Sequence, residues 1–249
     1  MDAEKLHAEN KILRQALSKY ISLSEIENLI NPVYSSKEPV SSISEPFNTN
    51  GLIDKTTAAE VKIRLFRALF KGRDDVFPER WEWAKANKSG YSPVCANRNK
   101  PEVCFKPAVK CADCGNREYA ALTDKIITEH LSGKKTIGVY PLLVDEMCWF
   151  LAADFDKKTW KDDVKAFLEA AQIMNVPAYI ERSRSGNGAH IWIFFNSPIS
   201  AMLARQLGSA ILTQAMEQYH QMSFESYDRF FPNQDTMPKG GYYEYCKCL

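Results

Sequence analysis

The feature that most constrains the fold is an alternation of strand-like and helix-like segments between residues 147 and 231. Residues 147–155 form a nearly continuous apolar run, typical of a strand buried on both faces. A helix follows to residue 174, with Thr159 and Asp162 as its expected cap. Strands over 177–184 and 189–195 flank a Ser-Gly-Asn-Gly turn, and a helix over 198–219 leads to a last strand over 224–231.

The order β-α-β-β-α-β predicts a mixed α/β (α+β) fold with a ferredoxin-like core, the unit shared with RNA-recognition motifs. In the usual strand order, 4-1-3-2, the first strand lies between the third and the fourth. Ahead of this core, the apolar pattern predicts a helix over 58–71 with Val61, Leu65, Leu69 and Phe70 inward. It also predicts a helix over 121–132 and a strand over 136–144.

The N-terminal part differs in composition. Residues 4–20 repeat apolar positions every seven residues, so we expect a short coiled-coil-like helix within 1–30, a candidate for self-association. Residues 31–57 are rich in Ser and Pro and predict a flexible linker. The globular domain is then expected over 58–241, divided into an N-terminal unit (58–144) and a catalytic core (145–241).

Composition excludes some classes of protein. No run approaches the roughly 18 apolar residues of a membrane span, and the polar N-terminus is unlike a secretory signal, so we expect a cytoplasmic protein with no membrane partner. The net charge is only +1, but residues 59–111 hold twelve basic and six acidic residues with seven aromatic ones. This mixture suits single-stranded nucleic acid and equally a solvated basic face over an ordinary core.

Two carboxylates, Asp154 and Asp156, end the first core strand. Side chains two apart on a strand share a face, where like charges repel unless a cation lies between them. Oxygen ligands favour Mg²⁺ or Mn²⁺. The alternative is a turn or helix cap, where Asp is also common. The predicted strand order adds Asp228 and His190 from the neighbouring strands, which favours a two-metal phosphoryl-transfer site.

The turn before His190 is rich in phosphate donors. Arg182, Arg184 and Ser185 supply cations and a hydroxyl, and the turn that ends at Gly188 supplies backbone N–H groups. We expect these residues and His190 to bind a triphosphate. The alternatives are a solvated strand end for the arginines and a buried core residue for His190.

Four cysteines within twenty residues, Cys95, Cys104, Cys111 and Cys114, have the spacing C-x8-C-x6-C-x2-C. In a cytosolic chain, this set predicts a structural Zn²⁺ site, with four unrelated thiols as the alternative. Cys148 lies in the buried strand and is expected to serve packing.

Together these motifs resemble the archaeo-eukaryotic primase superfamily, and most closely the primase domain of TOTE conflict systems. The resemblance rests on the segments CWFLAADFD, ERSRSGNGAHIW, SYDRFFPNQD, SGYSPVCANR and KCADCGNR. Residues 242–249, YYEYCKCL, do not resemble the family's continuation, so we expect a divergent tail and a catalytic domain that lacks its C-terminal part.

The resemblance implies an N-terminal α/β unit packed on the core and a primase-polymerase activity. Nucleoside triphosphates and a single-stranded DNA or RNA template would be its substrates, Asp154, Asp156 and Asp228 its metal ligands, and helicase and nuclease domains its usual partners. The alternative function is a catalytically incomplete module that only binds single strands in a conflict, defence or mobile-element system. A weaker third alternative is another nucleotidyl- or phosphotransferase on the same fold.

Overall fold

The computed structural model describes residues 53–219 and 225–237. The coiled-coil-like helix, all but the last residues of the linker, and the tail over 242–249 lie outside the described residues. In the N-terminal unit, helix α1 (Ala59–Leu69) precedes a hairpin of β1 (Pro78–Trp83) and β2 (Lys88–Pro93). A cysteine-bearing segment then leads to helix α2 (Asp124–Leu131).

The larger unit contains the β-α-β-β-α-β succession that the apolar pattern predicts. Its elements are β3 (Met147–Phe155), α3 (Trp160–Ile173), β4 (Tyr179–Arg182), β5 (Ala189–Ser200), α4 (Ala201–Gln218) and β6 (Tyr227–Phe231). The strands form one antiparallel sheet in the order β4-β5-β3-β6. The first strand of the succession therefore lies between the third and the fourth, as expected, and the described chain has an α+β architecture.

Both helices of this unit cover the same face of the sheet. Alternate residues of the central strands, among them Leu151, Phe155 and Ile191, are buried against α3 and α4. Helix α4 lies close to the sheet at Gly208, where an added Cβ would stand 2.7 Å from the Leu151 Cδ2 atom. Burial of this apolar surface is the main stabilising term of the core.

The opposite face of the sheet is partly covered by the N-terminal unit. Phe70, which follows α1, packs edge-on against Trp192 with ring centroids 4.9 Å apart, and also contacts Phe150. Val139 joins the same cluster. The part of this face beyond the aromatic cluster carries polar side chains.

Several predicted boundaries are corrected. The segment over 136–144 is not a strand, because Ile137 makes only an isolated bridge to Glu79 and no continuous ladder forms. The expected start of the second helix at residue 198 is wrong, since β5 continues to Ser200, whose hydroxyl accepts the Leu203 N–H and caps α4.

Two details of the predicted helices differ from the structure. Phe70 packs inward as predicted, and Ile63 and Phe66, which were not among the predicted residues, pack against the core of the N-terminal unit. At the start of α3, the Thr159 side chain makes no cap and instead donates to the buried Asp163 carboxylate.

In the segments that the structure describes, none of the helices combines the length and the apolar character needed to cross a membrane.

Candidate active site

A row of charged side chains crosses the open face of the four-stranded sheet. Strand register places Asp154 of β3 opposite His190 of β5 on one side and Arg229 of β6 on the other. His190 is in turn opposite Glu181 of β4. The four residues alternate between basic and acidic types, and each comes from a different strand. We call this set the polar row.

Asp154 and His190 lie side by side at the centre of the polar row. The His190 Nε2 atom is 3.5 Å from the Asp154 Oδ1 atom, and only 11% and 13% of the two side chains are exposed. These two motif residues are therefore adjacent, as the predicted strand order requires. His190 is largely buried, and both of its ring nitrogens face carboxylates.

Asp156 follows β3 directly and is exposed. Its backbone N–H donates to the Ser226 carbonyl at 2.7 Å, which ties the end of β3 to the segment that enters β6. The Ser226 hydroxyl also donates to the buried Asp163 carboxylate at 2.6 Å. The position of the strand that carries Asp228 is thus fixed from both β3 and α3.

The glycine-rich turn lies against the end of β3. A Cβ at Gly188 would stand 2.5 Å from the Phe155 carbonyl oxygen and 3.3 Å from the Asp156 Cα. Only glycine allows this approach, because both contacts are with backbone atoms that cannot rotate away. The predicted triphosphate-binding turn is therefore adjacent to the acidic pair.

The side chains of this turn serve partly to hold its shape. Arg182 donates from Nε and Nη2 to the Gly186 carbonyl at 3.2 and 3.1 Å. The Ser185 hydroxyl accepts the Asn187 N–H and lies 3.1 Å from the Ser183 hydroxyl. Arg184 is exposed near the tip. Arg182 braces the turn in this structure, and its predicted contact with phosphate stays a prediction.

Asp228 lies where the register of β6 shifts, between the residues paired with Asp154 and Phe155. Its carboxylate accepts a hydrogen bond from the neighbouring Arg229 Nε at 2.9 Å. Over residues 53–219 and 225–237, no three His, Cys, Asp or Glu side chains are grouped as a metal site. The three carboxylates have the donor chemistry for Mg²⁺ or Mn²⁺.

Glu181 is the site residue that sequence reasoning missed. It accepts the Trp192 indole N–H at 2.9 Å and lies 3.5 Å from the His190 Nδ1 atom. Burial opposes its ionisation, but the donor groups of His190 and Trp192 outweigh burial and hold the pKa of its carboxyl below 4.5. The available signal was the position of Glu181, which lies two residues before the turn begins at Ser183 and on the face shared with His190.

The four predicted zinc ligands, Cys95, Cys104, Cys111 and Cys114, line one cavity of about 320 Å³. A bridge between Cys95 and Tyr119 closes the segment that carries them. Backbone N–H groups of Lys106 and Asn99 donate to the Cys104 sulfur and lower the pKa of its thiol. Four thiols around one space fit the donor set of Zn²⁺, although the described residues do not form a closed metal site.

Two tryptophans project from the hairpin beside this cavity. Trp81 and Trp83 are 40% and 58% exposed. Trp81 lies across Gly90 of the paired strand, where an added Cβ would be 2.8 Å from its indole. Arg98, Lys106 and Arg117 line the cavity together with Trp81, and its described lining includes no carboxylate.

Comparison with known proteins agrees with the motifs. The model of the TOTE conflict system, archaeo-eukaryotic primase domain, matches residues 61–247, more than half of the 249-residue chain. The match includes most of the segment that sequence analysis set apart as a tail, and the domain boundaries stay predictions. Among curated proteins, no relative matches. The family resemblance is confirmed, and this chain belongs to the archaeo-eukaryotic primase domains of the TOTE conflict system.

Proposed function

We propose that this domain is a primase-polymerase that joins nucleoside triphosphates on a single-stranded template. The observation that carries the proposal is the 3.5 Å contact between Asp154 and His190, which places two motif residues of the family side by side on the open face of the sheet. We also infer that this sheet and its two helices form an RNA-recognition-motif-like catalytic core, since the element order and strand order are those of that fold.

Asp154, Asp156 and Asp228 are the proposed ligands of Mg²⁺ or Mn²⁺, which would neutralise phosphate charge and activate the attacking 3′-hydroxyl when bound. His190, Arg184 and Ser185 would bind the triphosphate, with backbone N–H groups of the turn that ends at Gly188. The close approach of Gly188 to the end of β3 supports this assignment of metal-binding and triphosphate-binding residues, because it brings the proposed phosphate-binding turn next to the carboxylates.

Cys95, Cys104, Cys111 and Cys114 are the proposed ligands of a structural Zn²⁺. The shared cavity and the lowered pKa of Cys104 support this assignment, because zinc binds the thiolate form. Zinc content by elemental analysis tests it, and a protein that folds with less than one zinc per chain would contradict it.

Incorporation of a labelled nucleotide separates the candidate functions. Wild-type protein should extend a primed template with Mn²⁺ or Mg²⁺, and Asp154→Ala should reduce the rate by at least about 100-fold. Glu60→Ala, a change on the exposed surface of α1, is the matched control and should leave the rate unchanged. Triphosphate turnover that needs no template would contradict a polymerase and favour another nucleotidyltransferase.

A second candidate is a module that binds single strands without catalysis. The exposed Trp81 and Trp83 beside a basic cavity favour this function, because aromatic faces stack bases and cations pair with phosphates. Trp81→Ala or Trp83→Ala should each weaken binding of a fluorescent oligothymidylate by roughly 5–150-fold, from about 1–3 kcal/mol of stacking. Ile173→Ala, an exposed apolar change at the end of α3, should not. Binding without any incorporation would support the module.

A further inference from the structure

We propose that Glu181 is a positioning residue that fixes the ring of His190 and so determines which nitrogen meets the triphosphate. The inference rests on the proposed function for the ligand, but its structural part concerns only the described side chains. It assigns a role to Glu181, which opens the segment ERSRSGNGAHIW but is not among the predicted site residues.

The first support is the environment of the two ring nitrogens. Nε2 faces Asp154 at 3.5 Å and Nδ1 faces Glu181 at the same distance. The Nδ1 atom is buried and makes no hydrogen bond of normal geometry within the described chain. Glu181 is therefore the acceptor nearest to satisfying this nitrogen. Which nitrogen of a histidine carries the proton is set by the partner of the other one.

The second support is the anchoring of Glu181 itself. Its Oε2 atom, the one that faces His190, also accepts the Trp192 indole N–H at 2.9 Å. Trp192 is only 3% exposed and packs against both Phe70 and the parallel ring of Phe194. A rigid aromatic core thus holds the carboxylate in place, although Glu181 belongs to an edge strand and is about half exposed.

The two contacts link the aromatic cluster to His190 through Trp192 and Glu181. The aromatic cluster fixes Trp192, Trp192 fixes Glu181, and Glu181 holds Nδ1 of His190. The Nε2 atom is then presented at the centre of the polar row, where Asp154 and the glycine-rich turn meet. Glu181 touches neither substrate nor metal in this scheme and acts through His190.

Imidazole ¹⁵N chemical shifts at one fixed pH test the positioning directly, with His190→Ala identifying the signals. Glu181→Ala should change the shifts of both His190 nitrogens, whereas Glu181→Gln, which keeps a side-chain oxygen acceptor, should restore most of the wild-type pattern. Trp192→Phe, which removes the N–H donor together with one ring of the indole, should give an intermediate change. Unchanged His190 shifts in Glu181→Ala would overturn the proposal.

Affinity for a nucleoside triphosphate, measured by calorimetry, supplies the second readout. Glu181→Ala should weaken binding by about 10-fold, the lower range for loss of a residue that orients a ligand-binding histidine. Glu181→Gln should recover most of it. If wild type binds no triphosphate, the proposed function fails while the ¹⁵N shifts still decide the positioning role. If Glu181→Ala does not fold, Trp192→Phe decides it, and wild-type His190 shifts in that variant would overturn it.

Discussion

Replacement of Gly188 by alanine should disturb the site more than any other one-methyl change in the turn. The added Cβ would stand 2.5 Å from the Phe155 carbonyl oxygen, against an ordinary contact of at least 3.4 Å. Phe155 is paired with Ala189 on one side and Tyr227 on the other, so its carbonyl is held by the sheet. The turn must therefore move, by about 0.9 Å.

A shift of this size affects both activity and stability. Misplacement of binding groups by about 1 Å can cost about 100-fold in rate, so the kcat/KM of nucleotide incorporation should fall by roughly 10–100-fold. Overpacking costs typically about 1–3 kcal/mol. At about 2–4 °C per kcal/mol for a domain of this size, the Tm should fall by at least about 2 °C.

Steady-state incorporation and thermal unfolding of Gly188→Ala measure these effects. Gly115→Ala is the matched control, because a Cβ at Gly115 meets nothing within 4 Å. Wild-type kinetics and an unchanged Tm in Gly188→Ala would show that the turn is not pressed against β3 and would refute the reasoning.

Three further experiments have definite expected outcomes. Gly208→Ala should lower the free energy of unfolding by about 1–3 kcal/mol in urea titrations, because its Cβ would lie 2.7 Å from a Leu151 methyl group. Burial raises the pKa of Cys148 to about 12, so Cys148 should stay unalkylated in native protein at pH 8 and react only after unfolding in denaturant, as read by mass spectrometry. Burial opposes ionisation of Glu181, but hydrogen bonds from His190 and Trp192 lower its pKa from the ordinary value, so its ionised form stabilises the fold at neutral pH and this contribution is lost on acidification. Thermal unfolding at pH 7 should therefore show Glu181→Gln as less stable than wild type, with the difference shrinking as the pH falls below 4.5.

The sheet was predictable because its signals are local and strong. The apolar run over 147–155 and the Ser-Gly-Asn-Gly turn leave few alternatives, and the usual chirality and pairing rules then place the strands. The pairing of Asp154 with His190 follows from strand order without any knowledge of side-chain contacts.

The contacts of Glu181 and Asp228 were not predictable in the same way. Glu181 reads as an ordinary charge on an edge strand, and its role depends on an indole N–H eleven residues away that only the register reveals. Asp228 lies at a register shift of β6, and the sequence YDRFF has no periodicity that would predict this shift. The hydrogen bond from Arg229 to the Asp228 carboxylate joins two adjacent residues, and no sequence pattern predicts it.

The segment over 136–144 shows a different limit. Ile137, Val139 and Tyr140 are all buried, which gives the apolar density of a strand. The backbone of this segment instead pairs with two pieces of chain. The Gly138 N–H donates to the Pro78 carbonyl and the Thr136 carbonyl accepts the Arg80 N–H, whereas the Tyr140 carbonyl accepts the Arg73 N–H. The burial of these residues can be predicted from the sequence, whereas the long-range hydrogen-bond partners of the segment cannot.

The polar row draws its members from residues 181, 190, 154 and 229, one on each strand of the sheet. A slip of one residue in any strand would reverse which side of the sheet its side chains occupy and break the row. The complete row therefore requires correct pairing of all four described strands. A polypeptide halted before residue 227 would still contain the aspartate and the histidine but would lack the arginine that completes the alternation of charge.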